Sequence, residues 1–113
     1  LVPGAANEIT VDNNGNAWVV NAANSIYHFN GAAFMPVNGV AKHIGVGGSE
    51  QSRIFVVGTD DHVYEFWPDR GAENPWAPAP DPSPETPVEA IAVDDEGRVR
   101  IVCGPNKNIY RSQ

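Results

Sequence analysis

Three tyrosines, Tyr27, Tyr64 and Tyr110, are each followed by a polar side chain of different chemistry: His28, Glu65 and Arg111. Short polar stretches from 21 to 25, from 58 to 62 and from 104 to 108 add Asn24, Asp61, His62 and Asn108, and two further aromatics, Trp67 and Trp76, stand close after the second tyrosine. Carboxamides, carboxylates and guanidinium groups can each engage two neighbouring hydroxyls, and an indole face covers an apolar C–H surface. That mixture suits reversible binding of a neutral, hydroxyl-rich ligand such as a sugar ring. Trp67 is the favoured stacking residue because it stands outside the repeated apolar pattern. Many of the loop Asn and Asp residues need no role beyond bonding their own backbone in turns. Trp18 and the three tyrosines are read chiefly as core residues.

Covalent or metal chemistry finds little support. No nucleophile motif, phosphate-binding loop or paired Cys/His ligand set is present. The acidic clusters Asp60-Asp61 and Asp94-Asp95-Glu96 fall at hairpin turns, and Asp12-Asn13-Asn14-Gly15 lacks the later Glu of a calcium-binding loop. No catalytic residue, cofactor or metal ion is expected. Cys103, the single cysteine, sits in the apolar run Arg100-Ile101-Val102-Cys103 and reads as a buried thiol. A formal net charge of −7 repels phosphate backbones and anionic headgroups, so nucleic acid and membrane insertion are not expected. No apolar stretch approaches the roughly 20 residues that span a bilayer, and no signal peptide is visible, which leaves the compartment open.

The elements that must carry these residues come in repeats. Ile9-Thr10-Val11, a Gly15 turn, Trp18-Val19-Val20 and Ile26-Tyr27-His28-Phe29 have two later echoes. The first is Ile44-Gly45-Val46, Ile54-Phe55-Val56-Val57 and Val63-Tyr64-Glu65-Phe66; the second is Ile91-Ala92-Val93, Arg100-Ile101-Val102 and Ile109-Tyr110-Arg111. Short β-branched and aromatic runs between Gly, Asn and Asp clusters read as strands and tight turns, and no window has helical spacing. The class is all-β. The second run of each of the first two units is apolar throughout, which implies burial on both faces, as between stacked sheets. A fourth strand follows near Phe34-Met35-Pro36-Val37 and near Trp76.

The pattern Ile-x-Val, a Gly turn, Trp-Val-Val, Ile-Tyr-x-Phe-x-Gly and a Val-x-Gly-x-Ala exit resembles the tectonin repeat over nearly the whole chain. The resemblance implies three four-stranded β-propeller blades and a non-enzymatic, sugar-binding lectin. Arg100 in the place of Trp18 and Phe55, and Ser112 in that of Phe29 and Phe66, make the third unit the least typical. Blade one is expected over about 5–39, blade two over about 40–87 and blade three over about 88–113. Propellers close with four to eight blades, so the expectation is half of a six-bladed propeller completed by a second chain, a homodimer. The stretch 1–4 of the partner would supply the last strand of blade three. Seven of the ten prolines fall between 68 and 87, which predicts an extended, polyproline-like insertion without a ladder of its own. Several equivalent sites on a rigid ring would give avidity for glycan-bearing surfaces, hence agglutination. A protein-interaction scaffold and a glycan-acting enzyme are the competing readings.

Overall fold

A computed structural model describes residues 6–79 and 87–111 of the 113-residue chain. Among these residues eleven strands form three antiparallel sheets. In the first sheet β1 (Glu8–Val11), β2 (Ala17–Val20), β3 (Ser25–Phe29) and β4 (Phe34–Val40) pair in chain order. The second repeats this with β5 (His43–Gly47), β6 (Arg53–Val57), β7 (Val63–Phe66) and β8 (Trp76–Pro78). The third pairs β9 (Val88–Val93), β10 (Val99–Cys103) and β11 (Asn108–Arg111). Residues 1–4, expected to complete this sheet in a partner, lie outside the described residues. Among the described residues no helix is long and apolar enough to cross a membrane.

The cross-strand register confirms the repeat position by position. Trp18 lies opposite His28, Phe55 opposite Glu65, and Arg100 opposite Arg111. The turns repeat as well. Asn24, Asp61 and Lys107, the non-glycine residues with positive φ among those described, occupy the same place before the third strand of each sheet, and each donates its N–H to the carbonyl three residues back. Asn and Asp tolerate this left-handed conformation better than most side chains. In the first turns, Asp12 Oδ1 accepts the N–H groups of Asn14 and Asn16, and Asp94 Oδ1 those of Glu96 and Arg98.

Two cores lie between the sheets. Trp18, Val20 and Ile26 meet Ile44, Ile54, Val56 and Trp76; Phe55, Val57 and Val63 meet Val88, Val99, Ile101 and Cys103. Successive residues of β6 therefore serve opposite cores, which is why Ile54–Val57 is apolar without a break. The thiol of Cys103 is buried, as its apolar run implied. Inner strands touch through small residues: a methyl group added at Gly47 would lie 2.3 Å from the Asp94 carbonyl oxygen.

The insertion departs from the polyproline expectation at Pro68–Arg70, which form a single 3-10 turn, whereas Trp76–Pro78 pair with β7 as the fourth strand expected near Trp76. Pro75 is buried and precedes a strand at the sheet edge, where proline's missing N–H costs nothing. Residues 80–86 of the insertion lie outside those described.

Candidate functional site

The insertion folds back over the seam between the first two sheets. The Trp76 indole N–H donates to the Asn38 carbonyl oxygen at 2.7 Å, and the Asn38 carboxamide donates to the Ala72 carbonyl oxygen at 2.9 Å. Gly39, at φ +116, lets the indole approach: a Cβ there would sit 2.8 Å from the ring. This bridge separates two clefts. One, of about 320 Å³, is lined by Pro36, Val37, Asn38, Phe66, Pro68 and Pro75 among others. The other, of about 370 Å³, brings Tyr64 and Trp76 together with Thr59, Asp60, Arg70 and Asn74.

The second cleft has the features of a hydroxyl-binding site. Tyr64 donates its hydroxyl to Asp60 Oδ2 at 2.7 Å, and Asp60 Oδ1 accepts the His62 N–H at 3.1 Å. Desolvation works against the Asp60 carboxylate, but these hydrogen bonds outweigh it and hold its pKa below the ordinary value. Asp60 is therefore an ionised acceptor at neutral pH, held in one orientation by two donors. Across the cleft, Arg70 is anchored by its Nε donating to the Asn74 carbonyl oxygen at 3.4 Å. A ring of donors and acceptors around partly apolar walls orients a polar ligand by direction and not by charge alone.

The residues singled out from sequence divide between this cleft and other duties. Trp76, a candidate from sequence, contributes to the cleft wall, is buried in the first core and has its indole N–H taken by the Asn38 carbonyl oxygen. Trp67 is exposed but lines neither cleft; its backbone N–H donates to the Pro75 carbonyl oxygen. Glu65 receives both Arg53 Nε (2.8 Å) and Nη2 (3.0 Å), and the guanidinium lies 5.2 Å over the Phe55 ring. This bonding raises the Arg53 pKa. Both Glu65 oxygens are thus occupied at the seam with the third sheet.

His28 stacks on Trp18 at 4.2 Å with planes 19° apart, and its Nε2 lies 3.3 Å from Asp12 Oδ2. The same oxygen accepts the Trp18 indole N–H. Burial opposes the Asp12 charge, but four hydrogen bonds, led by the Asn16 N–H, keep its pKa low. In the third sheet, Asp94 Oδ2 instead accepts from Arg98 Nε at 3.0 Å and Arg100 Nη1 at 3.1 Å. The Arg98 N–H is the largest influence holding the Asp94 pKa far down. Arg111 lies opposite Arg100 on β11, the outer strand of the third sheet among the described residues.

Asp61 is a brace between elements. Its Oδ1 accepts from Lys42 Nζ and from the Val88 N–H at 2.9 Å, and its pKa is lowered, by Lys42 first and Val88 second. Nearby, His43 joins three inner strands, with Nδ1 on Glu8 and Nε2 3.1 Å from the Val88 carbonyl oxygen. Asn24 is a turn residue whose carbonyl oxygen accepts the Ala41 N–H. His62 is exposed, and its backbone N–H supports the site by donating to Asp60. Asn108 opens β11 in the third sheet, remote in sequence and sheet from the cleft.

Sequence reasoning passed over Arg70 and Asn74 as site residues and kept Tyr64 for the core. The signal that marks them is the extra length of the second unit, which holds an aromatic, a cation and a carboxamide within ten residues of Trp67. No curated protein matches the chain. A family model described as the Tectonin domain does match, over residues 1–81, which takes in both sheets that frame the cleft, and the chain belongs to the tectonin family.

Proposed function

We propose that this chain is a non-enzymatic carbohydrate-binding propeller lectin, with its three sheets as consecutive blades and its principal sugar site in the cleft at the first seam. The observation that carries the reading is the convergence of Tyr64, Trp76, Asp60, Arg70 and Asn74 on one cleft of about 370 Å³. Membership of the tectonin family supports it. Weak sites carried on a rigid, multivalent assembly would add avidity, so agglutination of glycan-bearing particles is the expected activity.

A glycan array followed by titration calorimetry tests the reading. Arg70→Ala and Asn74→Ala should each weaken the best glycan by about tenfold, the cost of one or two lost polar contacts. Trp67→Ala serves as the comparison: loss of binding there, with Arg70→Ala unaffected, moves the site to the outer face of the insertion. Silence on every glycan favours the protein-interaction scaffold.

A further inference from the structure

The cleft of about 370 Å³ is lined by two full charges of opposite sign, Asp60 and Arg70, and among the described residues no ion pair joins them. Asp60 is held by neutral donors: the Tyr64 hydroxyl on Oδ2 at 2.7 Å and the His62 N–H on Oδ1 at 3.1 Å. A carboxylate oxygen accepts more than one hydrogen bond, so each oxygen keeps capacity for a ligand. Arg70 uses Nε on the Asn74 carbonyl oxygen, which leaves both terminal nitrogens of its guanidinium without a partner among the described residues. Both side chains are exposed to the cleft's solvent.

The seat of the carboxylate depends on a glycine. A methyl group added at Gly58 would lie 2.6 Å from Asp60 Oδ1 and 3.1 Å from the Tyr64 ring, so the bare backbone there is what lets the acid and the ring stand side by side. Tyr64 and Trp76 line the same cleft, and aromatic faces beside a carboxylate attract an ammonium group. The paired terminal nitrogens of a guanidinium suit a planar carboxylate. Ligands with a single charge fit less well. An acidic sugar meets Asp60 and the field of a chain of net charge −7, while a purely basic one meets Arg70.

We propose that this cleft selects a zwitterionic glycan, one that carries an unacetylated amine and a carboxylate, with Asp60 taking the ammonium and Arg70 the carboxylate. The selectivity rests on the cleft being the sugar site. A ligand with both charges is neutral as a whole, so the negative field of the chain costs it nothing, and its two ends fix its direction in the cleft. Acetylating the amine removes the charge that Asp60 receives, and esterifying the acid removes the one that Arg70 receives. Each loss turns a charge-assisted hydrogen bond into a weaker one between groups of which only one is ionised.

Titration calorimetry with a glucosamine–glucuronic acid disaccharide in three forms tests this: amine and acid both free, the amine acetylated, and the acid as its methyl ester. The zwitterion should bind the unaltered chain about tenfold more tightly than either other form, and the difference should shrink with added salt. Asp60→Asn, which keeps an acceptor for the Tyr64 hydroxyl, should erase the preference for free amine over acetylated amine and leave the preference for acid over ester. Arg70→Gln should do the converse. The preference itself is read on the unaltered chain, so it stands or falls whether or not a variant folds. Equal binding of all three forms, tighter binding of the acetylated or esterified form, or preferences that survive both substitutions overturns the proposal and leaves the sugar site in place. Binding of neutral glycans with none of the three bound also overturns it alone, whereas silence on every glycan overturns the sugar site as well.

Discussion

Aspartate carries most of the fine structure, and it does so as an acceptor. Asp12, Asp60, Asp61 and Asp94 each receive backbone N–H groups together with a side-chain donor. All four have pKa values lowered from the ordinary 3.8. A carboxylate with a depressed folded-state pKa contributes stability that is complete above its unfolded value and is lost as pH falls through the folded one. The urea midpoint should therefore stay level from neutrality down to about pH 5 and drop below about pH 4. Asp12→Asn keeps an acceptor oxygen but cannot ionise, so its midpoint should begin lower and fall less steeply with acid. Asp12→Ala removes the acceptor for the Asn14 and Asn16 amides and the Trp18 indole, at a cost of about 2 kcal/mol, measurable by urea unfolding at pH 7. The role of aspartate in the turns was legible because Asp followed by Asn, Glu and Gly at hairpin spacing has a local cause. The braces were not legible. Asp61 meets Lys42 beside its own sheet and Val88 of the third, 19 and 27 residues away, and no pattern within six residues encodes that.

At the scale of the strand, spacing in the sequence translated directly into structure. The apolar runs became strands, the β6 run became the layer shared by two cores, and equivalent residues met at equivalent register. Periodicity reports which face of a strand is buried, so a repeated pattern fixes a repeated sheet. Of the insertion only the strand near Trp76 was legible, because the rest of its conformation depends on a long-range anchor. Proline content predicts an extended chain, but the Trp76 indole bonded to Asn38, 38 residues away, pulls the segment onto the first sheet and gives β8 a partner. The cleft exists only through that fold-back, so its lining residues could not be assembled from sequence. Close contact between inner strands gives a sharper test. Gly47→Ala would press a methyl group against the Asp94 carbonyl oxygen at 2.3 Å, a backbone atom that cannot rotate away, whereas at Gly45 the nearest atom is a Val93 methyl at 3.3 Å. Gly47→Ala should cost about 1–3 kcal/mol, in the range of overpacked cores, and Gly45→Ala clearly less, by the shift of the thermal midpoint in each variant.

For the whole molecule, the second sheet is the member on which the other two depend. Its β6 strand sends Ile54 and Val56 into one core and Phe55 and Val57 into the other, so neither core survives without it. Polar links cross the same boundaries: Glu8 to His43 and the Ile44 N–H, His43 and Asp61 to Val88, and Gly48 N–H to the Asp94 carbonyl oxygen. Sheets coupled on both sides unfold together when the seam energy exceeds the stability of any sheet alone, and a lone four-stranded sheet with an uncovered apolar face has little of its own. Phe55→Ala should accordingly cost about 3–5 kcal/mol and lower a single thermal transition, although the residue lies in the second core only. Calorimetry decides this by comparing the measured enthalpy with the van't Hoff enthalpy. Agreement in both the native chain and the variant is the expected result. A transition that splits in Phe55→Ala, with tryptophan fluorescence reporting Trp18 and Trp76 still folded after the third sheet has melted, would mean that the first seam stands without the second. The fold would then be a chain of separable repeats and not one cooperative body.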